Sequence, residues 1–218
     1  MDPDIRWLKQ QTLTMNIRLD AKQLNQFDQY KQELLAWNQK INLISENSAR
    51  EIVARHFLDS LTPLPFIEKS NAKLLDVGSG AGFPGLPLKI ANPRLELCLL
   101  EANRKKASFL KHMVRLLELD HVLVVHDRID NLIRTNSFAE GFDILISRAA
   151  FGLSELQRFC DFFLDSNGLL IALKGVRVEE EIQQCLASKT HRKITQFFQY
   201  DIGPDFSGKP RKIIIGKP

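Results

Sequence analysis

The chain has 218 residues and a mass of 25.0 kDa, enough for one sizeable α/β domain with an appendage or for two small domains. Hydrophobic residues at 44% and charged residues at 26% exclude a disordered chain, and no apolar run approaches the roughly 18 residues of a membrane-spanning helix. The net charge of +4 leans weakly towards a polyanionic partner. The opening residues carry no signal-peptide pattern, so we expect a cytoplasmic protein that does not contact a membrane. Three widely spaced cysteines without a C-x-x-C indicate neither disulfides nor a metal site.

Residues 1–70 are predicted to form a helical N-terminal extension. From Asp20, which is placed to cap a helix, apolar residues recur with helical spacing through Trp37. The end of this helix, "AWNQKINL", is either an RNA-facing surface or a packed tryptophan followed by a polar helix end. A further helix is predicted over "SAREIVARHFLDSL", ending before Pro63.

The pattern changes after residue 70, where short apolar runs alternate with segments of helix length. The runs are "KLLDV", "LELCLL", "HVLVVH", "FDILIS" and "GLLIALK". This alternation predicts an α/β fold, a doubly wound parallel sheet with helices on both faces. The tail, "KITQFFQYDI" and "RKIIIGK", predicts a closing antiparallel pair. We therefore assign residues 71–218 to one domain.

The stretch "LLDVGSGAGFPG" places four glycines, Gly78, Gly80, Gly82 and Gly85, directly after the first strand. Glycines here let the backbone approach a ligand, and ligands of open parallel sheets bind beyond the carboxyl ends of the strands. The loop lacks the Lys-Ser or Lys-Thr of a phosphate-binding P-loop. The dinucleotide pattern G-x-G-x-x-G fails as well, because Phe83 occupies the third position.

Two acids accompany the glycines. The form hydrophobic–hydrophobic–Asp–Val–Gly–x–Gly–x–Gly resembles the first motif of S-adenosylmethionine-dependent methyltransferases. Asp76 suits a cofactor with a sulfonium and an ammonium group, although it also suits a residue that only fixes the loop by hydrogen bonds. Glu101 closes the second strand about twenty residues further on, where a carboxylate accepts hydrogen bonds from ribose hydroxyls.

Several longer stretches carry a closer resemblance. "LLAWNQKINLIS", "ARHFLDSL", "FPGLPLKIANP", "LLEANRKKASFLKHM" and "FDILISRAAFGLSEL" look like the bacterial small-subunit (16S) ribosomal RNA guanine-N7 methyltransferases, from about residue 20 to the C-terminus. The resemblance implies a Rossmann-like class I methyltransferase sheet and S-adenosylmethionine as cofactor. The residues it implies for cofactor binding are Gly78, Gly80, Phe83, Glu101, Ile129, Asp130 and Arg148. Within this set, Ile129 and Asp130 would bracket the adenine.

The implied reaction needs alignment rather than a base, because guanine N7 carries no proton, so we assign no catalytic residue. N7 lies on the major-groove edge, which is inaccessible in A-form RNA, so the target base should be unpaired. The implied partner is small-subunit ribosomal RNA or a ribosomal particle, bound by a monomer.

Basic residues offer two candidate RNA-binding patches, although a solvated charged face is the more usual explanation of each. One is formed by Arg104, Lys111 and Arg115, and the other by Lys209, Arg211 and Lys212. Lys174, at the end of the fifth strand, is either a further RNA contact or a surface lysine whose aliphatic stem lies along apolar residues. For His56 we favour a structural role.

Three other functions stay open. An NAD-type oxidoreductase is weakened by Phe83 and by Asp76. A small-molecule methyltransferase is disfavoured by the basic charge and the helical extension. A non-catalytic RNA-binding protein that keeps the fold is disfavoured by the intact set of cofactor-site residues.

Overall fold

The computed structural model describes residues 1–45, 48–175, 178–187, 193–204, 208 and 210–218. Its helices are α1 (Pro3–Thr14), α2 (Ala21–Ile41), α3 (Ala49–Ile52), α4 (Asp59–Leu61), α5 (Gly85–Ala91), α6 (Arg104–Leu116), α7 (Ile129–Arg134), α8 (Leu153–Phe163) and α9 (Glu179–Ala187). Its strands are β1 (Lys73–Val77), β2 (Glu96–Leu100), β3 (Val122–Val125), β4 (Phe142–Arg148), β5 (Leu164–Gly175), β6 (Gln196–Pro204) and β7 (Pro210–Lys217). A π-helical turn, Val53–Leu58, joins α3 to α4, and a 3₁₀ turn, Leu64–Phe66, precedes β1.

The strands form a seven-stranded sheet in the order β3-β2-β1-β4-β5-β7-β6. The first five strands are parallel, whereas β7 runs antiparallel to both β5 and β6. The predicted parallel sheet with a closing antiparallel pair is thereby confirmed. The order reverses between β1 and β4, and the carboxyl ends of these strands form the edge where ligands of such sheets bind.

Two hydrophobic clusters cover the two faces of the sheet. One contains residues of the N-terminal helices, such as Leu8 and Phe27, together with Leu74 of β1 and Phe109 of α6. The other packs α7, α8 and α9 against the opposite face. The helices before residue 70 therefore share a core with the sheet, as expected when an extension is held by burial of apolar area. The boundary at residue 70 stays a prediction.

The long helix α2 begins and ends as the sequence indicates. Asp20 accepts a hydrogen bond from the Gln23 backbone amide at 2.8 Å, and the Gln23 side chain accepts one from the Asp20 amide at 2.8 Å, which completes a capping box. At the other end, Asn42 adopts a left-handed conformation with φ 49°, while Trp37 packs edge-on against Phe109 at 5.5 Å. These contacts support the packed alternative for "AWNQKINL".

The described helices include none that is both long and apolar enough to cross a membrane. Cys98, Cys160 and Cys185 are all buried, and none of them forms a disulfide.

Candidate functional site

The predicted cofactor residues follow four neighbouring parallel strands. Gly78 and Gly80 follow β1, Glu101 follows β2, and Arg148 is the last residue of β4. Ile129 begins α7, four residues beyond the end of β3. Because these strands are adjacent and parallel, all of these residues lie along one edge of the sheet.

The loop after β1 needs glycine at several positions for different reasons. Gly78 and Gly80 have φ values of +72° and +58°, in the left-handed region. A Cβ on Gly78 would lie 2.8 Å from the Cβ of Ala150, so the loop after β4 covers this position closely. A Cβ on Gly80 would meet nothing nearer than the Gly78 carbonyl oxygen at 3.9 Å. Gly80 therefore presents bare backbone to open space, as a ligand-binding turn requires.

Asp76 is fully buried beneath this loop, and its two carboxylate oxygens differ. Oδ2 accepts a hydrogen bond from the Gly85 amide at 2.9 Å. Oδ1 is buried and has no hydrogen-bond partner among the described residues. Burial raises the pKa of Asp76 to about 7, against the opposing effects of the Gly85 hydrogen bond and the Arg148 charge. Asp76 thus fixes the loop with one oxygen and keeps the other as an unsatisfied acceptor, which fits a cationic ligand group.

Glu101 joins the end of β2 to the glycine-rich loop. Its Oε2 accepts a hydrogen bond from the Gly80 amide at 2.8 Å, and its Oε1 accepts one from the Asn103 amide at 2.7 Å. The residue is only 8% exposed. Each carboxylate oxygen has a further lone pair, so both can still accept a bond from a ribose hydroxyl.

Phe83 and Arg148 meet at the boundary between the loop and the N-terminal helices. The Phe83 ring stacks on His56 at 4.8 Å and on Tyr30 at 5.5 Å, and Arg148 Cζ lies 4.8 Å from its centroid. Because Phe83 is only 3% exposed, its ring packs between the glycine-rich loop and the N-terminal helices. The stacking also supports a structural role for His56.

Ile129 and Asp130 differ in exposure although they are neighbours. Ile129 is buried in the cluster that contains α8. The Asp130 side chain is 67% exposed and pairs with Arg158 of α8, with 2.9 Å between Oδ1 and Nη2. The start of α7 therefore lies near the carboxyl ends of the strands, where the ligand is expected, and the Asp130 carboxylate pairs with Arg158.

The sequence interpretation missed two side chains that shape this edge. The Tyr30 hydroxyl donates a hydrogen bond to the Ala81 carbonyl, and the Ser79 hydroxyl donates one to the Asp76 carbonyl. The position of Ser79 between two glycines could have indicated a hydrogen bond within the loop. Nothing in the sequence linked Tyr30 to the loop. The described residues contain no group of three or more His, Cys, Asp or Glu side chains that could hold a metal ion.

The proposed RNA patches and Lys174 have different surroundings. Arg104, Lys111 and Arg115 are exposed on α6, opposite its buried apolar face. Lys174 donates a hydrogen bond to the Phe151 carbonyl at 2.7 Å and pairs with Glu181 at 2.9 Å. Of the tail patch, Lys209 lies outside the described residues.

The strand order and the loop at its switch point define the class I methyltransferase fold. A predicted O-methyltransferase from Agrobacterium tumefaciens aligns with a TM-score of 0.58 at 19% identity, over 74% of this chain and 78% of that chain. TYW2 from M. jannaschii, solved in complex with AdoMet, aligns with a TM-score of 0.56 at 17% identity, over 73% and 74% of the two chains. At these identities the likeness establishes the fold alone.

Sequence similarity identifies the family. The family described as "GidB: rRNA small subunit methyltransferase G" matches residues 23–203. Ribosomal RNA small subunit methyltransferase G of Syntrophus aciditrophicus is 42% identical over 179 residues, 82% of this chain and 74% of that protein. The protein of the same name from Staphylococcus saprophyticus is 35% identical over 216 residues, 98% of this chain and 90% of that protein. The chain belongs to the rRNA small subunit methyltransferase G family.

Proposed function

We propose that the chain transfers a methyl group from S-adenosylmethionine to N7 of a guanine in small-subunit ribosomal RNA. The observation that carries the cofactor assignment is the buried Asp76 carboxylate, whose Oδ1 lacks a partner among the described residues beside bare glycine backbone. An unsatisfied buried acceptor is costly, and a cationic ligand group relieves that cost. A pyrophosphate would instead be repelled by the same carboxylate.

Different residues at the carboxyl ends of the strands would contact different parts of the cofactor. Asp76 would face the positively charged methionine end, and Gly80 would leave room for it. Glu101 would accept hydrogen bonds from the ribose hydroxyls, and the start of α7, Ile129 with Asp130, would border the adenine. Arg148 and Phe83 would close the side next to the N-terminal helices.

The chemistry requires little from the side chains beyond alignment. S-adenosylmethionine held by these residues would supply an electrophilic methyl group, whose transfer to the N7 lone pair would release the neutral thioether. N7 has no proton to lose, so the chain needs no general base. Its residues hold the acceptor and the donor in line and exclude water, a contribution worth several orders of magnitude in rate.

The target base must leave a helix or lie in a loop, because side chains cannot reach N7 in the narrow major groove of A-form RNA. The substrate is therefore an unpaired guanine in free RNA or in a ribosomal particle. Because ribosomal RNA is the substrate, we propose that the enzyme acts in the cytoplasm. We also propose that it is a monomer. Its two parts would be a helical extension, residues 1–70, and a methyltransferase domain, residues 71–218.

The test is methyl transfer from labelled S-adenosylmethionine to small-subunit RNA or particles from a strain lacking this gene. We expect 7-methylguanosine as the modified nucleoside, identified by mass spectrometry, and no label in large-subunit RNA. RNA from the wild-type strain is the matched control, because its target is already methylated. Cofactor binding without transfer to any RNA or particle would contradict the proposed acceptor, and no cofactor binding would contradict the whole proposal.

A further inference from the structure

The outer face of α6 carries a row of three basic side chains, Arg104, Lys111 and Arg115. At 3.6 residues per turn they lie within about 40° of one another around the helix axis, so they form one stripe, which we name the α6 stripe. All three are exposed, whereas the opposite side of the helix, including Phe109 and Met113, is buried in the core. The packing of α6 therefore fixes the direction of the stripe, which faces away from the sheet.

The α6 stripe has no carboxylate to balance it. The helix contains no Asp or Glu, and the three cations form no ion pair with any residue in the described ranges of the chain. Solvated helix faces commonly carry charges of both signs, because pairs of opposite charge three or four residues apart stabilise a helix. Arg158 of α8, by contrast, pairs with Asp130 at 2.9 Å. The stripe therefore presents positive charge that an anionic partner would balance.

Glu33 of α2 does contact α6, but it meets the flank of the helix and not the stripe. Its Oε2 lies 2.8 Å from His112 Nε2 and accepts a hydrogen bond from Trp37 Nε1 at 3.2 Å. His112 is about 80° around the helix axis from the middle of the stripe. The next acid along the chain, Glu118, follows the end of α6. The two carboxylates thus border the stripe without forming an ion pair with it.

The start of α6 joins the stripe to the candidate cofactor site. Asn103 caps the helix, because its side-chain oxygen accepts hydrogen bonds from two amides of the first turn at 2.9 and 3.2 Å. The Asn103 amide in turn donates a hydrogen bond to Glu101 Oε1 at 2.7 Å. Arg104 is therefore near the edge at which the cofactor would bind, and Arg115 lies roughly 16 Å further along the helix axis.

A strand of RNA fits the stripe better than an acidic protein surface does. The phosphates of RNA form a regular row of negative charges, and Lys and Arg are the usual side chains that contact them. The core of a protein interface is instead apolar or aromatic. Ser108 is the one other side chain on this arc of α6, and its hydroxyl donates a hydrogen bond to the Arg104 carbonyl at 2.9 Å. A row of cations around a small polar residue matches a phosphate backbone.

We propose that the α6 stripe binds the phosphate backbone of the RNA segment that flanks the target guanine. This inference rests on the proposed function, which supplies the RNA, and it adds the surface along which the RNA outside the active site lies. The three cations are binding residues and not catalytic ones, because their partner is neither the cofactor nor the reacting base.

The deciding variant combines Arg104→Gln, Lys111→Gln and Arg115→Gln, and is tested by equilibrium binding of a small-subunit ribosomal RNA transcript at several salt concentrations. We expect Kd to rise about tenfold to a hundredfold, and the slope of log Kd against log salt to fall by about two, as for three lost phosphate contacts. Affinity for S-adenosylmethionine should stay within about twofold. Because the three positions are exposed, the variant should fold like the wild type, which circular dichroism checks.

The matched control combines Lys9→Gln, Lys73→Gln and Lys217→Gln. It removes the same charge from exposed lysines on α1, at the start of β1 and at the end of β7. Its RNA affinity and salt slope should be close to those of the wild type, and an α6 triple variant that behaves like this control would overturn the proposal. Arg104→Lys with Arg115→Lys keeps the charge of the stripe and should keep the salt slope.

The different distances of the cations from the site give a second test. On a full transcript, Arg104→Gln and Arg115→Gln should each raise Kd about threefold. On an RNA shortened to the target loop, Arg115→Gln should lose its effect while Arg104→Gln keeps it, because Arg115 lies roughly 16 Å further from the site. Equal effects of Arg115→Gln on both RNAs would contradict the placement of the flanking segment.

An acidic ribosomal protein is the competing partner. If the triple variant binds the naked transcript normally but loses affinity for assembled small-subunit particles, the stripe contacts protein and the RNA assignment is wrong.

Binding is measured without methyl transfer, so failures of the two proposals are distinguishable. A wild-type protein that binds RNA through the stripe but transfers no methyl group contradicts the proposed function alone. A triple variant that methylates RNA with an unchanged KM for RNA contradicts this inference alone.

Discussion

The glycine-rich loop and the start of α7 lie at the same edge of the sheet but are held in opposite ways. Asp76 and Glu101 accept hydrogen bonds from backbone amides of the loop, and the Tyr30 hydroxyl of α2 donates one to a loop carbonyl. The start of α7 is held by burial of Ile129, while Asp130 makes an ion pair in solvent. Buried hydrogen bonds hold geometry far more firmly than exposed ion pairs. We therefore expect the residues around the methionine end of the cofactor to keep their positions on binding, and those around the adenine to adjust.

The largest effect should follow from Asp76→Asn. Loss of a buried charge facing a cationic ligand should weaken S-adenosylmethionine binding by about tenfold to a hundredfold, in line with charge-assisted hydrogen bonds of about 1.5–3 kcal/mol. Since the folded carboxyl group has a pKa of about 7, it is mostly ionised only above that pH. The difference in affinity between wild type and variant should therefore widen from pH 6 to pH 8 in calorimetry.

The pH dependence of the free energy of unfolding tests separately whether Asp76 has the raised pKa. A carboxyl group whose folded pKa is raised from 3.8 to about 7 makes the free energy of unfolding fall as pH rises through that interval. Urea unfolding should show this slope in the wild type and a smaller slope in Asp76→Asn. If the two proteins have equal affinity for the cofactor at pH 8, Asp76 only fixes the loop.

A smaller effect is expected for Glu101→Gln. The amide oxygen can keep one of the two backbone hydrogen bonds, so the loss in unfolding free energy should be about 1–2 kcal/mol. Cofactor affinity should fall about tenfold, because an uncharged acceptor binds ribose hydroxyls less strongly. Titration with adenosine, which has the ribose but no methionine end, separates the two halves of the ligand. Unchanged affinity for both ligands would remove Glu101 from the ribose site.

The smallest effect is expected for Asp130→Ala, whose ion pair with Arg158 is exposed on both sides. The free energy of unfolding should change by no more than about 0.5 kcal/mol. Arg158→Ala is the matched control, because it breaks the same ion pair and leaves the carboxylate in place. A loss of cofactor affinity in Asp130→Ala alone indicates that the carboxylate turns towards the adenine; equal affinities in both variants indicate that only the backbone of α7 borders it.

The sequence predicts this fold well because its signals are local. The alternation of apolar runs locates each strand, and the capping residue Asp20 sets the start of α2. Within the site, the positions of Gly78, Glu101 and Arg148 follow from strand order, since residues after adjacent parallel strands must converge. The order of the strands along the chain is therefore enough to predict which backbone segments border the ligand.

Side-chain direction could not be predicted in the same way. The Phe83 ring faces inward because Tyr30 and His56, far away in the sequence, provide aromatic surfaces for it. The pairing of Asp59 with Arg211 joins the N-terminal helices to the last strand, and no local pattern reports such a contact. These interactions depend on tertiary packing, which a periodicity argument does not contain.

Arg148 contacts Phe83 in the glycine-rich loop and pairs with Asp59 of α4, so one side chain joins the loop to the N-terminal helices. If the cofactor and the RNA interact differently with the two positions of Arg148, binding of one changes the affinity for the other, and linkage makes the change the same in both directions. If the cofactor strengthens RNA binding by some factor, RNA strengthens cofactor binding by that factor. After transfer the cofactor loses its sulfonium charge, so the same coupling would tie release of the methylated RNA to the charge state of the spent cofactor.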